Sequence, residues 1–178
     1  MQDRTEHIVL VGYMFCGKTT IGQKLAVRLG YDFYDTDKEI ENKFHYSVSD
    51  IFKKFGQEVF RKMERDILKE LLDLNNVVIA TGGGTPCFFD NMQHIKENAV
   101  SVFLDMDVRH ILARQRQSKV KRPLLEGKST EEIESYIRET LNQRLHYYTQ
   151  ADIIIDAFNL TVEKVLERIN ADYRILHN

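Results

Sequence analysis

Residues 7–20 read HIVLVGYMFCGKTT. The apolar, β-branched run from His7 to Gly12 predicts a buried strand, and Thr19 to Leu29 predicts a helix. Between them, Gly12 and Gly17-Lys18-Thr19 match GxxxxGK(S/T) in the strand-to-helix setting that this motif requires. The chemistry follows from the geometry: successive backbone N–H groups and the positive end of the helix cradle phosphate oxygens. Lys18 then bridges the β- and γ-phosphates and Thr19 offers its hydroxyl to Mg²⁺. The loop therefore implies a nucleoside triphosphate, ATP before others, held by Gly12, Phe15, Cys16, Gly17, Lys18, Thr19 and Thr20. Cys16 sits where a helix N-terminus can depress a thiol pKa, so it is expected either to alkylate readily or to be an inert packed residue.

Outward from this loop, short β-branched runs alternate with helical patterns. DFYDTD (32–37) reads as a second strand ending in carboxylates, followed by helices over 38–44, 48–55 and 57–74. In the last of these Val59, Phe60, Met63, Ile67, Leu71 and Leu74 recur at amphipathic spacing. NVVIATGGG (76–84) is a third strand running into a second glycine loop, and VSVFLD (100–105) and DIIID (152–156) are the fourth and fifth strands. Helices are expected over 91–98, 108–117, 130–150 (stripe Ile133, Ile137, Leu141, Leu145) and 161–175, with a basic loop over 118–129. Such alternation predicts an α/β fold with a parallel sheet covered on both faces, and ligands then bind beyond the carboxyl ends of the strands. Three predicted strand ends carry the glycine loops and the Asp35/Asp37 pair, so three strand ends point at one site.

At 178 residues and 20.9 kDa the chain makes about one domain. Its 43% hydrophobic and 29% charged content is that of a soluble globular protein. The longest mostly apolar stretch, Ile8 to Cys16, is half of a membrane span, and the start (Asp3, Arg4, Glu6) lacks a signal-peptide pattern. A net charge of -2 gives no basic field for nucleic acid, and two cysteines without a CxxC spacing suit a reduced cytoplasm. Of only nine glycines, Gly12, Gly17, Gly82, Gly83 and Gly84 fall in the two strand-end loops, which marks those loops as functional.

A P-loop needs a carboxylate near the metal, and the third strand, ending in Thr81 and three glycines, supplies none. Asp35 is the replacement, which leaves Asp37 to orient an acceptor hydroxyl and take its proton. The alternative is that both simply cap the next helix.

With these motifs in hand, the chain resembles the shikimate kinases over nearly its whole length. The resemblance is carried in order by GYMFCGKTT, DTD (35–37), GQEVFRKME (56–64), TGGG (81–84), RPLL (122–125) and Arg144. It implies a three-layer α/β/α P-loop fold of the nucleoside-monophosphate-kinase type, with a five-stranded parallel sheet, a mobile lid over about 118–129 and a substrate-binding helical part over about 37–64. It also implies phosphoryl transfer from ATP to the 3-hydroxyl of shikimate, with Mg²⁺, in a cytoplasmic monomer of aromatic amino acid (chorismate) biosynthesis that needs no nucleic acid or membrane.

By the family's motifs, Asp37 engages the ring hydroxyls and acts as base, and Arg61 and Arg144 bind the substrate. The glycine loop Gly82, Gly83 and Gly84 presents the Gly83 N–H to it, and Arg122 in the lid contacts the phosphates. Lys119, Lys121 and Lys128 join Arg122 as lid cations, and Arg114 and Arg116 are the candidates for stacking on adenine, with Arg116 taken for the nucleotide-binding set. Periodicity supports Arg144, which falls on the inward stripe of its helix, but leaves Arg61 at the flank of its own. The family usually has glycine where this chain has Phe15 and often glutamate at Gln57; the first departure demands either an ordinary φ at Phe15 or some strain. Rivals are a gluconate kinase, which would share Lys18 and Thr19, a small GTPase and a non-catalytic nucleotide sensor. Against the GTPase, Asn42-Lys43 is followed by Phe44-His45 rather than completing NKxD.

Overall fold

The computed structural model describes residues 7–118 and 123–176. Its elements are β1 (His7–Val11), α1 (Lys18–Leu29), β2 (Asp32–Asp35), α2 (Thr36–Phe44), α3 (Val48–Leu72), β3 (Val77–Ala80), α4 (Asn91–Asn98), β4 (Val100–Asp105), α5 (Val108–Gln117), α6 (Thr130–Tyr148), β5 (Ile153–Asp156) and α7 (Val162–Leu176). The five strands form one parallel sheet in the order β2-β3-β1-β4-β5. β1 and β3 are buried throughout, whereas β2 and β5, at the edges, are partly exposed. The continuous apolar runs are thus those of a sheet covered on both faces.

The order also locates the site. The chain leaves β1 toward β2 and then returns across the sheet in the opposite direction. Right-handed crossovers therefore put α1 on one face and α3, α4 and α6 on the other. In keeping with this, α1 packs against α7 and α3 against α4. Next to β1 the direction reverses, which opens a crevice at its carboxyl end.

Several boundaries differ from the sequence reading for identifiable reasons. β2 stops at Asp35 because that side chain caps α2, accepting from the Asp37 amide, so Asp37 lies in the first helical turn rather than on the strand. The helices expected over 48–55 and 57–74 join as α3 around Gly56, whose φ of 80° and ψ of 171° break the helical path. The expected stripe of α3 is displaced: Val59 and Leu74 are exposed, while Arg61 and Glu64 are buried beside Phe60, Ile67 and Leu68. On α6 the inward row ends at Tyr148, not Leu145, which is exposed. Two short 3₁₀ turns, Thr85–Cys87 and Pro123–Leu125, have no counterpart in the sequence reading. Among the described residues no helix is long and apolar enough to cross a membrane.

Candidate active site

The loop after β1 owes its shape to three left-handed residues. Gly12 has φ 140°, Gly17 has φ 101° and Phe15 has φ 67°. The last is the strained alternative: a phenylalanine takes the conformation that glycine holds without cost. The carbonyls of the loop are occupied by cations. The Lys18 ammonium donates to the carbonyls of Gly12 and Tyr13, both at 2.8 Å, and lies 3.6 Å from Cys16 Sγ. The Arg114 guanidinium donates to the carbonyls of Phe15 (3.2 Å) and Cys16 (3.0 Å). With its carbonyls drawn to one side, the loop leads into α1, whose first-turn amides have no partner within the helix. Backbone donors, Lys18 and a helix N-terminus together make an anion site.

This loop forms one wall of a cleft of about 510 Å³ at the carboxyl end of the sheet, walled elsewhere by Lys24, Asp35, Arg114 and Leu160. Thr20 lines it as well. At its floor the Thr19 hydroxyl donates to Asp35 Oδ2 at 2.7 Å, while Asp35 Oδ1 accepts from the Asp37 amide at 3.1 Å. Asp35 therefore caps the helix, as the alternative sequence reading has it, and at the same time faces the phosphate-loop threonine. Thr19 and Asp35 are hard oxygen donors suited to Mg²⁺.

Asp37, Met14, Gly82 and Gly83 line this cleft and also a second cavity beside it. The second cavity receives Arg61 from α3, Arg144 from α6, and Pro123 and Leu124 from the 3₁₀ turn. Arg61, left at the flank of its helix by periodicity, is only 5% exposed. Its guanidinium pairs with Glu64, itself 1% exposed, and lies 4.3 Å from the Phe88 ring centroid. Glu64 also accepts from the Thr85 hydroxyl at 2.7 Å. Burial pushes the Glu64 carboxyl above its ordinary range, with Arg61 opposing the rise. Arg144 is half-buried, 5.4 Å from the centroid of the Tyr13 ring, and among the described residues no carboxylate pairs with it. One cation of the cavity is thus neutralised inside the fold and the other is not.

The glycine loop closes the gap between the two cavities. Gly82 N–H donates to the Thr36 hydroxyl, and the Gly83 carbonyl accepts from Tyr148. A Cβ on Gly84 would sit 2.6 Å from Arg61 Nη1, so this glycine makes room for the guanidinium.

Not every expected residue falls in place. Arg116 is exposed and lines neither cavity, whereas Arg114 lines the cleft, which reverses the choice of Arg116. Cys16 is 2% exposed, so the readily alkylated thiol gives way to the packed one. The Cys87 thiol is pushed up to about 11 by burial. Arg122, Lys119 and Lys121 lie outside the described residues. Lys128 stands 5.6 Å from the Tyr136 ring, as a surface cation–π contact.

Sequence reasoning overlooked Glu64, Thr85, Thr36, Tyr13 and Tyr148. Glu64 had a usable signal, an acid three residues after Arg61 on one helix, as had Tyr148, four after Arg144. Thr36 and Thr85 had none, since each meets its partner across the fold.

Comparison with known proteins agrees with this geometry. The profile of the family described as Shikimate kinase matches residues 14–174. A curated shikimate kinase of Parabacteroides distasonis is 42% identical over 96% of this chain and 99% of its own. The crystal structure of a shikimate kinase from Bacteroides thetaiotaomicron superposes with a TM-score of 0.86 at 38% identity, covering 97% of this chain and 98% of that one. A shikimate kinase from Acinetobacter baumannii, in complex with shikimate, does so with a TM-score of 0.86 at 34% identity over 94% of each chain.

Proposed function

The chain belongs to the shikimate kinase family, and from that premise we propose that the cleft holds ATP and the cavity beside it holds shikimate. It is an ATP-dependent kinase that transfers the γ-phosphoryl group to the 3-hydroxyl of shikimate, giving shikimate 3-phosphate and ADP for aromatic amino acid biosynthesis. The fold is the P-loop, nucleoside-monophosphate-kinase-like arrangement of helices on both sides of a five-stranded parallel sheet.

What supports the acceptor assignment is the pair of arginines with unequal compensation. Arg61 is neutralised by Glu64, and Arg144 faces the cavity with no carboxylate partner among the described residues, so an acceptor carboxylate completes the charge balance. Asp37 lines both cavities, which supports its assignment as the group that holds the attacking hydroxyl. In the reaction Asp37 takes the hydroxyl proton as the oxygen bonds to the γ-phosphorus and the bond to the ADP oxygen breaks. Lys18, after leaving the loop carbonyls, meets the phosphate oxygens, and Gly83 offers its N–H to the acceptor. Arg122 is assigned to the phosphates by its place in RPLL alone.

Mg²⁺ is the metal we assign, at Thr19 and Asp35. Among the described residues no group of three or more His, Cys, Asp or Glu could cage a cation, so these two would share the ion with phosphate oxygens. When bound, it neutralises charge on the β- and γ-phosphates.

We assign the segment 118–129 as a lid over the site and 37–64 as the acceptor-binding part of one domain, working as a cytoplasmic monomer. Pro123 and Leu124 in the cavity wall support the first assignment, and the cavity's reliance on Asp37 and Arg61 the second.

The test is ADP release from MgATP with shikimate, gluconate and nucleoside monophosphates offered separately. Turnover with shikimate and not with the others is expected; turnover with another acceptor alone overturns the assignment.

A further inference from the structure

Tyr148 ends α6 fully buried, its ring tilted against Phe103 of β4 with centroids 5.2 Å apart. The reaction just described gives it no part. Yet two groups assigned to the acceptor meet at this residue. The O–H donates to the carbonyl of Gly83, and Arg144 stands one helical turn earlier on α6, lining the same cavity as Gly83 and interacting electrostatically with the phenol. The directions are compatible: a phenol has one proton to give and lone pairs to receive an N–H. Its proton goes to the carbonyl, so the oxygen is turned toward the cation. Arg144, Tyr148 and Gly83 thus follow one another from α6 to the glycine loop, with the Tyr148–Gly83 hydrogen bond joining the two elements.

Arg144 needs such a support. Arg61 is fixed by its ion pair with Glu64, but the groups around Arg144 are Tyr148, Tyr13 with its ring at 5.4 Å, and the Cys87 thiol, and among the described residues none of them is a carboxylate. A long side chain left to itself spreads over many rotamers, and an arginine fork binds a carboxylate well only when both N–H groups are aimed.

We propose that Tyr148 is a positioning residue for acceptor recognition: its hydroxyl fixes the Arg144 guanidinium and the Gly83 peptide relative to one another, so that both meet the acceptor at once. This rests on the assignment of Arg144 to the acceptor carboxylate. Burial keeps the phenol protonated by raising its pKa, which maintains the donor to Gly83.

Tyr148→Phe keeps the ring and its packing on Phe103 and removes only the hydroxyl. Expected is a KM for shikimate about 10-fold higher, with the KM for ATP within about 2-fold and kcat within about 3-fold of the parent. Two further readouts separate positioning from packing. The rise should vanish with the carboxamide analogue of shikimate, which gives Arg144 no carboxylate to align. Tyr148→Phe added to Arg144→Lys should cost little beyond Arg144→Lys alone, because the two act through one contact. Phe103→Leu, which loosens the ring but leaves the hydroxyl, should lower thermal stability and leave the ratio of the two KM values unchanged. A KM for shikimate within about 2-fold of the parent, or equal rises for shikimate and its carboxamide, overturns the proposal. A parent enzyme inactive on shikimate would instead remove the premise, and the two failures are told apart by the parent assay.

Discussion

The two glycine loops look alike in the sequence and differ in why they need glycine. In the first, Gly12 and Gly17 have φ of 140° and 101°, conformations an L side chain rarely adopts, and Phe15 is bent to φ 67° between them. In the second, Gly82, Gly83 and Gly84 are not among the residues with positive φ. There the constraint is space: a Cβ on Gly82 would lie 2.7 Å from Glu64 Oε1 and 2.9 Å from Asp37 Oδ1, and one on Gly84 2.6 Å from Arg61 Nη1. The first loop is shaped by its own backbone to offer amides to phosphate. The second is kept thin so that charges from α2 and α3 can converge beside it. Damage to the first should therefore appear in phosphoryl transfer and stability, and damage to the second in the affinity for the acceptor.

The largest separation is expected at Lys18. Lys18→Met removes the ammonium that serves the phosphate side and touches nothing in the acceptor cavity. Loss of one preorganised cationic donor should lower kcat on the order of 10²–10³-fold. The KM for shikimate should stay within about 3-fold, as no acceptor contact is lost. A KM that rose together with the loss of kcat would mean that the two regions do not act separately.

A smaller and opposite effect is expected at Gly84. Its φ of -92° is ordinary, so alanine introduces no backbone strain. The new methyl instead displaces the Arg61 guanidinium, which is confined by Glu64 and Phe88. Steady-state kinetics of Gly84→Ala should give a KM for shikimate about 10-fold higher and an unchanged KM for ATP, since the loss corresponds to about one charge-assisted hydrogen bond. If the KM for ATP rose equally, the second loop would share the work of the first.

The same contrast explains what could be read from the sequence. The phosphate loop is a local object, with eight consecutive residues carrying backbone geometry and chemistry together, so spacing alone identifies it. The sheet was legible too, because Val100–Asp105 and Val77–Ala80 are apolar runs bounded by turn residues. The acceptor cavity is assembled from α2, α3, α6 and the loop after β3: strand ends bring Asp37 and the glycines together in the sequence, whereas Arg61 joins them through the family resemblance alone. Periodicity misplaced Arg61 because a buried ion pair turns two charged residues inward against the hydrophobic pattern, and a helical plot counts them as surface. It misjudged Leu145 because Tyr148 takes the inward position one turn later. β2 ends two residues before Asp37, short of the strand that the sequence pattern predicts, because a capping side chain and not a change in hydrophobicity terminates it.

The smallest effect tests the first loop at the position where glycine is missing. Phe15 holds φ 67° while Arg114 grips its carbonyl and that of Cys16, so the surrounding contacts impose the conformation. The left-handed conformation costs a non-glycine residue roughly 1–2 kcal/mol. Glycine would remove that cost, but it adds roughly 0.5–1 kcal/mol of unfolded-chain entropy and gives up the packing of a half-buried ring. Against phenylalanine these terms nearly cancel, which makes Phe15→Gly alone uninformative. Phe15→Ala supplies the missing reference, since it loses the same ring and keeps the strain. At an ordinary position alanine is the more stable of the two by roughly 0.5–1 kcal/mol. At residue 15 the order should reverse, with the glycine variant equal to or up to about 1 kcal/mol more stable than the alanine variant in urea unfolding. Should alanine prove the more stable, the loop can relax out of the left-handed region, and its glycines would then be required for room, as in the second loop.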